Sequence, residues 1–386
     1  MIITTELAQP IVKKMMSVVD YNINIMNHDG IIVASGDPDR INQPHQGAKE
    51  VVQQKRERVV PLKDTDRLEG TKPGVNLPIE FNGNIIGTVG ITGHPDVVYK
   101  TARVVKITVE SLLQQQYLSE QLYYKQKILE EWVLDLINPD YTDFSGLEAR
   151  SQFLRIDTNN LCTILVIQLL EFDKEKNFNK AQQAETRVLH LLGYFCPQAI
   201  FRVHSGKGYF ILAVPVSRSN LMEEALSIAQ YVHVKLKEEH SPNRIGVGFA
   251  HRGVEGWRSS YMEAVQSLDI LKRVNPQKGV AHLGEWGIFQ LISEVPEKTI
   301  SSYIARWFKD KKPLEQEVLL TLETFLDCDQ NVSETAEKLH IHRNTLLYRL
   351  DKIKRSWGLD PKAFGDAMHL RLVMICLKLC SDHTIA

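Results

Sequence analysis

Residues 339–350 read LHIHRNTLLYRL. The run carries side chains that can read and neutralise a nucleic acid. Arg343 and Asn344 are of the types that grip guanine and adenine edges through paired hydrogen bonds. His342, Thr345 and Tyr348 add shorter polar contacts, and Arg349 and Lys352 can neutralise phosphates. Between positions 338 and 355 stand six Lys or Arg and one acid, Asp351, in a chain whose formal net charge is −1. That is a local excess of five positive charges. Two readings fit it. Either this face meets a nucleic acid, or it is a solvated helix face on which Arg349 pairs with an internal carboxylate and Tyr348 lies half-buried under a neighbour.

Such side chains need a helix to aim them. On a 3.6-residue wheel Leu346, Leu350, Ile353 and Trp357 form one apolar stripe, with Asn344, Tyr348, Asp351 and Arg355 roughly opposite. Upstream, VSETAEKLHI predicts a short helix opening at Ser333, with Glu334 and Glu337 in its first turn. Glu337 lies one residue beyond the ideal capping-box position. Leu339 and Ile341 bracket a break of about three residues, so the pair predicts a helix-turn-helix. The final run, FGDAMHLRLVMICLKL, reads as the apolar lid of this helical domain; Met374 and Cys376 need no cofactor to explain them.

The rest of the chain must position and control that unit. Its 386 residues exceed one typical domain. The N-terminal part reads as a helix (TELAQPIVKKMMSVV) and a hairpin turning at Asp29-Gly30. After a further helical stretch comes a second hairpin, turning at Asn82-Gly83. This order predicts a small PAS-like α+β sensor sheet. From 97 to 131 a long helical pattern without Gly or Pro places Val105, Val109, Leu112 and Leu113 on one side. That length predicts a coiled-coil-like linker and a homodimer, or else a helix docked on its own domain. INPDYTDFSG, 137–146, marks a boundary. Beyond it, strands LCTILVIQLL and IGVGFA, a hairpin at 205–208 and two amphipathic helices predict an α/β domain to about residue 295. Polar KDKKPLE, with Pro313, precedes an almost wholly helical end. The expected divisions are a sensor domain with its linker helix (1–135), a middle domain (136–296) and an all-α helix-turn-helix domain (297–386).

Composition narrows the class. Hydrophobic residues make up 43% and charged residues 24%, the balance of a folded soluble protein. Cys162, Cys196, Cys328, Cys376 and Cys380 include no CxxC pair and no histidines at zinc spacing, so reduced core cysteines are expected and no metal or other cofactor. The N-terminus lacks the apolar core of a signal peptide, and no run approaches the length of a membrane span. A cytoplasmic location without membrane contact is expected.

HIHRNTLLYRLDKI followed by GLDP resembles the C-terminal helix-turn-helix of PucR-type regulators. The segments 20–48, DYNINIMNHDGIIVASGDPDRINQPHQGA, and 74–93, GVNLPIEFNGNIIGTVGITG, resemble the sugar-diacid recognition domain. Nearly the whole length is thus similar to the carbohydrate diacid regulators, most specifically at the two ends. The resemblance implies a double-stranded DNA operator as partner. It also implies activation of genes for using glucarate, galactarate or glycerate.

A hydroxy-diacid effector needs cationic or N–H donors for its carboxylates and polar partners for its hydroxyls. Under this resemblance Arg40 and His45 are the carboxylate donors, and a helix starting near Gln46, Gly47 and Ala48 would point free backbone N–H groups at the anion. Ser35 and Asp37 are hydroxyl partners. Lys72, Gly74 and Asn76 come from the second hairpin, Gly74 permitting close backbone approach. The plainer reading of the same segment is a polar surface loop rich in turn formers.

The middle domain also resembles the GGDEF nucleotide-cyclase fold, so an enzyme must be weighed. A cyclase needs carboxylates at the end of its first strand to hold Mg²⁺. Here Gln168 and Leu170 stand in those places, Glu171 and Asp173 fall beyond the strand, and the hairpin reads HSGKGYF without the Asp-Glu pair. A degenerate, non-catalytic scaffold is expected. The competing class is a nucleotide-processing or nucleotide-binding enzyme with a helical regulatory tail. A sensor that binds a protein partner through its last domain is the third.

Overall fold

The computed structural model describes residues 2–62, 71–170, 178–217, 220–309, 311 and 314–380, with the backbone alone for 178–182. The chain divides into two units, residues 1–126 and 127–386. No described helix is long and apolar enough to cross a membrane.

In the first unit, helix α1 (Thr5–Met16) leads into a hairpin of β1 (Ile23–Asn27) and β2 (Ile32–Ser35). A 3-10 turn at Pro38–Arg40 then precedes α2 (Gln46–Gln54), β3 (Arg58–Val60), β4 (Gly74–Phe81) and β5 (Asn84–Thr92). The strands form an antiparallel sheet in the order β2-β1-β5-β4-β3. Both expected hairpins are present. At the second, Asn82 and Gly83 have φ of 49° and 77°, the left-handed pair that a two-residue turn between twisted strands requires.

Helix α3 (Pro95–Ile137) begins on this unit and runs 43 residues, longer than the sequence pattern suggested. One face of the sheet, with Ile23, Ile25, Val75, Leu77, Val89 and Ile91, buries against Ala8 and Val12 of α1 and Val98, Ala102, Val105, Val109 and Leu113 of α3. The stripe of Val105, Val109 and Leu113 is therefore docked on its own domain, with Leu112 partly buried beside it. The other face of the sheet lies under α2.

The second unit contains α4 (Phe144–Leu154), β6 (Cys162–Leu169), α5 (Phe178–Phe195), β7 (Phe201–Gly206), β8 (Tyr209–Pro215), α6 (Leu221–Glu238), β9 (Asn243–Val247), α7 (Gly253–Val274) and β10 (Val280–His282). Its sheet runs β10-β9-β6-β8-β7. Only the β9–β10 pair is parallel among the described strands. Leu165, Ile167, Leu212, Val214 and Ile245 pack toward α5 and α6. Ile164, Val166 and Ile211 pack toward Trp257, Ala264 and Leu268 of α7 and toward Trp132 at the end of α3. At Gly246 a Cβ would stand 2.1 Å from the Ala264 carbonyl oxygen, so only glycine lets β9 lie this close to α7.

Helices α8 (Ile288–Ser293), α9 (Glu297–Phe308), α10 (Gln316–Asp327), α11 (Val332–Lys338), α12 (Arg343–Trp357) and α13 (Phe364–Leu379) complete the chain. Val318, Leu322 and Phe325 of α10 pack with Leu346, Leu350, Ile353 and Trp357 of α12 and Leu370 and Met374 of α13. The apolar stripe read on α12 is buried throughout, and α13 closes the core as expected of a lid.

Candidate functional site

The α2 face of the first sheet is polar where a core would be apolar. Ser35, Asn24, Gly90 and Asn76 are direct register partners across β2, β1, β5 and β4, so they stand in one row on that face. Ser35, Asn24 and Asn76 are buried. Ser35 Oγ donates to Asn24 Oδ1 at 2.7 Å, and Asn22 Nδ2 donates to the same oxygen at 3.1 Å. Gly90 leaves the middle of the row bare. A Cβ there would stand 2.5 Å from Asn76 Oδ1 and displace the amide.

The N-terminus of α2 closes over this row. The Cβ position of Gly47 lies 3.3 Å from Asn76 Nδ2, from His45 Cε1 and from Thr71 Cγ2, so these groups converge on one point. Gly47 N donates to Thr71 Oγ1 at 3.2 Å and Ala48 N to His45 Nδ1 at 3.1 Å. The expectation of free amides at this helix end is thus corrected. A capping histidine and a threonine hydroxyl already satisfy those of Ala48 and Gly47, because buried N–H groups must be paired. Thr88 Oγ1 donates to the Ala48 carbonyl at 3.3 Å.

His45 accepts at Nδ1, so in the neutral ring Nε2 carries the proton and is the donor. Burial, reinforced by the positive charge of Arg40, pulls its pKa down to about 4, and the ring is neutral at pH 7. Arg40 is buried on the 3-10 turn; burial lowers its pKa while nearby Asp37 opposes that shift. A guanidinium remains charged at neutral pH all the same.

Among the residues read from the sequence, Ser35, Arg40, His45, Gly47, Ala48 and Asn76 are buried around this face. Asp37 and Lys72 are not part of that interior: they face each other 3.7 Å apart, Lys72 exposed and Asp37 half-buried. Gly74 has another use than the one expected. A Cβ there would sit 2.0 Å from the Ile91 carbonyl oxygen, so its bareness serves the neighbouring strand. Asn24, Thr71, Thr88 and Gly90 were missed. Asn24 left a signal: in INIMN it is a polar residue between apolar neighbours within a strand whose two faces are both covered.

At the other end, His342, Arg343, Asn344 and Thr345 open α12 and are exposed, and Tyr348 is 67% exposed. His342 caps the helix, its Nδ1 accepting from Asn344 N at 3.2 Å. Arg349 turns back to α10, donating to Glu317 Oε2 at 2.6 Å and Thr321 Oγ1 at 3.1 Å. Lys352 donates to Glu315 Oε1 at 2.8 Å. Lys354 pairs with Asp360, and Arg355 with Asp351. Four of the six cations counted in the sequence therefore face carboxylates, three of which come from outside the segment.

The start of α11 also differs from expectation. Its cap is Asn331, whose Oδ1 accepts from Ser333 N and Glu334 N at 3.0 and 3.2 Å. The turn to α12 spans the four residues 339–342, with His340 at φ 50°. In the middle domain, Gln168 and Leu170 stand at the end of β6, and the β7–β8 turn is Ser-Gly-Lys-Gly. Glu171 and Asp173 lie outside the described residues.

Three family models match the chain. Residues 3–136 match the sugar diacid recognition family, 139–270 the GGDEF-like domain and 318–376 the PucR C-terminal helix-turn-helix domain. An uncharacterised protein of Haemophilus influenzae is 29% identical over 95% of this chain and 96% of its own length. The carbohydrate diacid regulator of Escherichia coli is 27% identical over 96% of this chain and 97% of its own length. The purine catabolism regulatory protein of Bacillus subtilis is 38% identical over 72 residues, 19% of this chain and 14% of that protein. A helix-turn-helix with an exposed basic first turn, matched by this family and by these relatives, defines the chain as a DNA-binding transcriptional regulator. Within that class it is a sugar diacid regulator of PucR type.

Proposed function

We propose that this regulator binds a small sugar diacid or hydroxy acid (glucarate, galactarate or glycerate) on the α2 face of its N-terminal sheet. In response it activates genes for using that acid. The observation that carries this reading is the buried polar row Ser35–Asn24–Gly90–Asn76, with buried Arg40 and His45 on the segment that leads into α2. Polar groups buried on a sheet face cost stability unless something polar completes their hydrogen bonds. A hydroxy-diacid does so: Arg40 and the His45 Nε2–H suit carboxylates, and the Asn amides suit hydroxyls. The antiparallel sheet with helices on both faces supports a PAS-like sensor. The substitutions at 168, 170 and 205–208 support a middle domain that is a scaffold and not an enzyme.

The protein acts in the cytoplasm as a homodimer on a roughly palindromic operator, two recognition helices meeting half-sites about one helical turn apart. The three functional divisions are 1–135, 136–296 and 297–386. A thermal-shift screen of glucarate, galactarate, glycerate and related acids tests the effector: one acid is expected to raise the melting temperature with concentration. Calorimetry on Arg40→Ala is expected to show binding abolished in a folded chain. Unchanged affinity would remove Arg40 from the site.

A further inference from the structure

Helix α3 carries a second apolar row on the side turned away from its sheet. Val97, Val104 and Leu118 are 57%, 62% and 52% exposed, and Ile107 and Leu122 are 63% and 69% exposed. Val97, Val104, Ser111 and Leu118 recur every seven residues. Taken as heptad position a, they place Ile107, Gln114 and Gln121 at d and Leu122 at e. The docked residues Val98, Ala102, Val105, Val109 and Leu113 then fall at b, c and f, diametrically opposite on the wheel.

The row keeps a seven-residue period at Val97, Val104 and Leu118, with Ser111 in the intervening place. A straight helix drifts about 20° per heptad against it, so over three heptads a flat surface loses the row, while a helix that coils around it keeps contact. A second copy of α3 presents the same repeat. From Val97 to Leu122 the seam runs roughly 38 Å at 1.5 Å per residue. Two such helices cover on the order of 1,000 Å², where specific interfaces begin. Residues 118–127 are all exposed, and a helical stretch that short is marginal in water without a packing partner.

We propose that two copies of this chain pair in parallel along this outer row of α3, through Val97, Val104, Ile107, Leu118 and Leu122. The parallel arrangement sets each position against its own copy, apolar on apolar and polar on polar. The antiparallel one in the register that keeps Ile107 on Leu118, pairing a with d, would set Val104 against Gln121, while Lys100 and Lys125 meet like charge in either arrangement. The proposal rests on the homodimer reading and corrects its surface, since the stripe first suspected is spent on the sheet.

Sedimentation of the full chain tests it. The wild type and Val59→Asp, a control on β3, are expected to run as dimers. The double variants V104D/I107D and L118D/L122D should run as monomers with unchanged far-UV circular dichroism. Because all five native cysteines are buried, Ser111→Cys should form a disulfide-linked dimer under mild oxidation, and Gln116→Cys, on the docked side, should not. A monomeric wild type would overturn the homodimer reading itself. A dimeric wild type whose seam variants stay dimeric, or whose Ser111→Cys form fails to crosslink, would overturn the seam alone.

Discussion

Arg343 and Arg349 lie six residues apart on one helix and do different work. Arg343 is exposed, and no side-chain bond holds it among the described residues; Arg349 is held by Glu317 and Thr321. Arg343→Ala should leave the melting temperature in place, weaken operator binding about tenfold or more, and reduce the salt slope by about one. Arg349→Ala should leave that slope alone and cost roughly 0.5–1.5 kcal/mol of stability. Fluorescence anisotropy across a salt series, beside thermal melts, separates the two. His45 makes a second prediction. Its folded pKa of about 4 lies below its ordinary 6.5, so in the window between them the unfolded chain binds the proton and the native one does not. The stability this contributes is whole above about pH 6.5 and is lost toward pH 4, by roughly 3 kcal/mol. Urea titrations of His45→Asn, which keeps a capping acceptor, should lack that share of the pH slope. Residue type, together with the family resemblance, made Arg40, His45 and Asn76 candidates for contact with a ligand. It did not separate Arg343 from Arg349, because the carboxylates that claim Arg349 and Lys352 sit on and beside α10, some thirty residues away in sequence.

Helices and hairpins were the most legible level. The α12 stripe and both hairpin turns follow from periodicity and from residues that tolerate positive φ. Leu350→Ala should cost about 2–5 kcal/mol in chemical denaturation, since Leu350 is buried against α10 and α13. The ends of elements were read less well. Ser333 has the right chemistry for a cap, yet Asn331 sits where its side chain reaches two free amides. Asn331→Ala should therefore cost about 1 kcal/mol and Ser333→Ala close to nothing, as measured by the same unfolding curves. Helix α3 shows the limit of pattern reading in another way. It has apolar residues on opposite faces, and sequence spacing does not say which face a sheet will take.

For the molecule as a whole, the effector must bind one arrangement of the chain more tightly than another if it is to act at all. An acid present at a hundred times its Kd should add about 2.7 kcal/mol to the unit that binds it, read as a rise in melting temperature that Arg40→Ala erases. The sequence by itself determined the class of this protein. Its helix-turn-helix is set by local periodicity and short turns, its family by runs of contiguous residues, and its N-terminal sheet by two hairpins, and all of these are short-range properties of the chain. Only the tertiary structure decided which charges remain open to DNA, that the Gly47 and Ala48 amides are already bonded, and that Asn24, Gly90 and Asn76 stand in one row. Those facts depend on strand register and on helix packing between residues tens of positions apart. Hydrogen bonds and ion pairs form between neighbours in space, which no local pattern records.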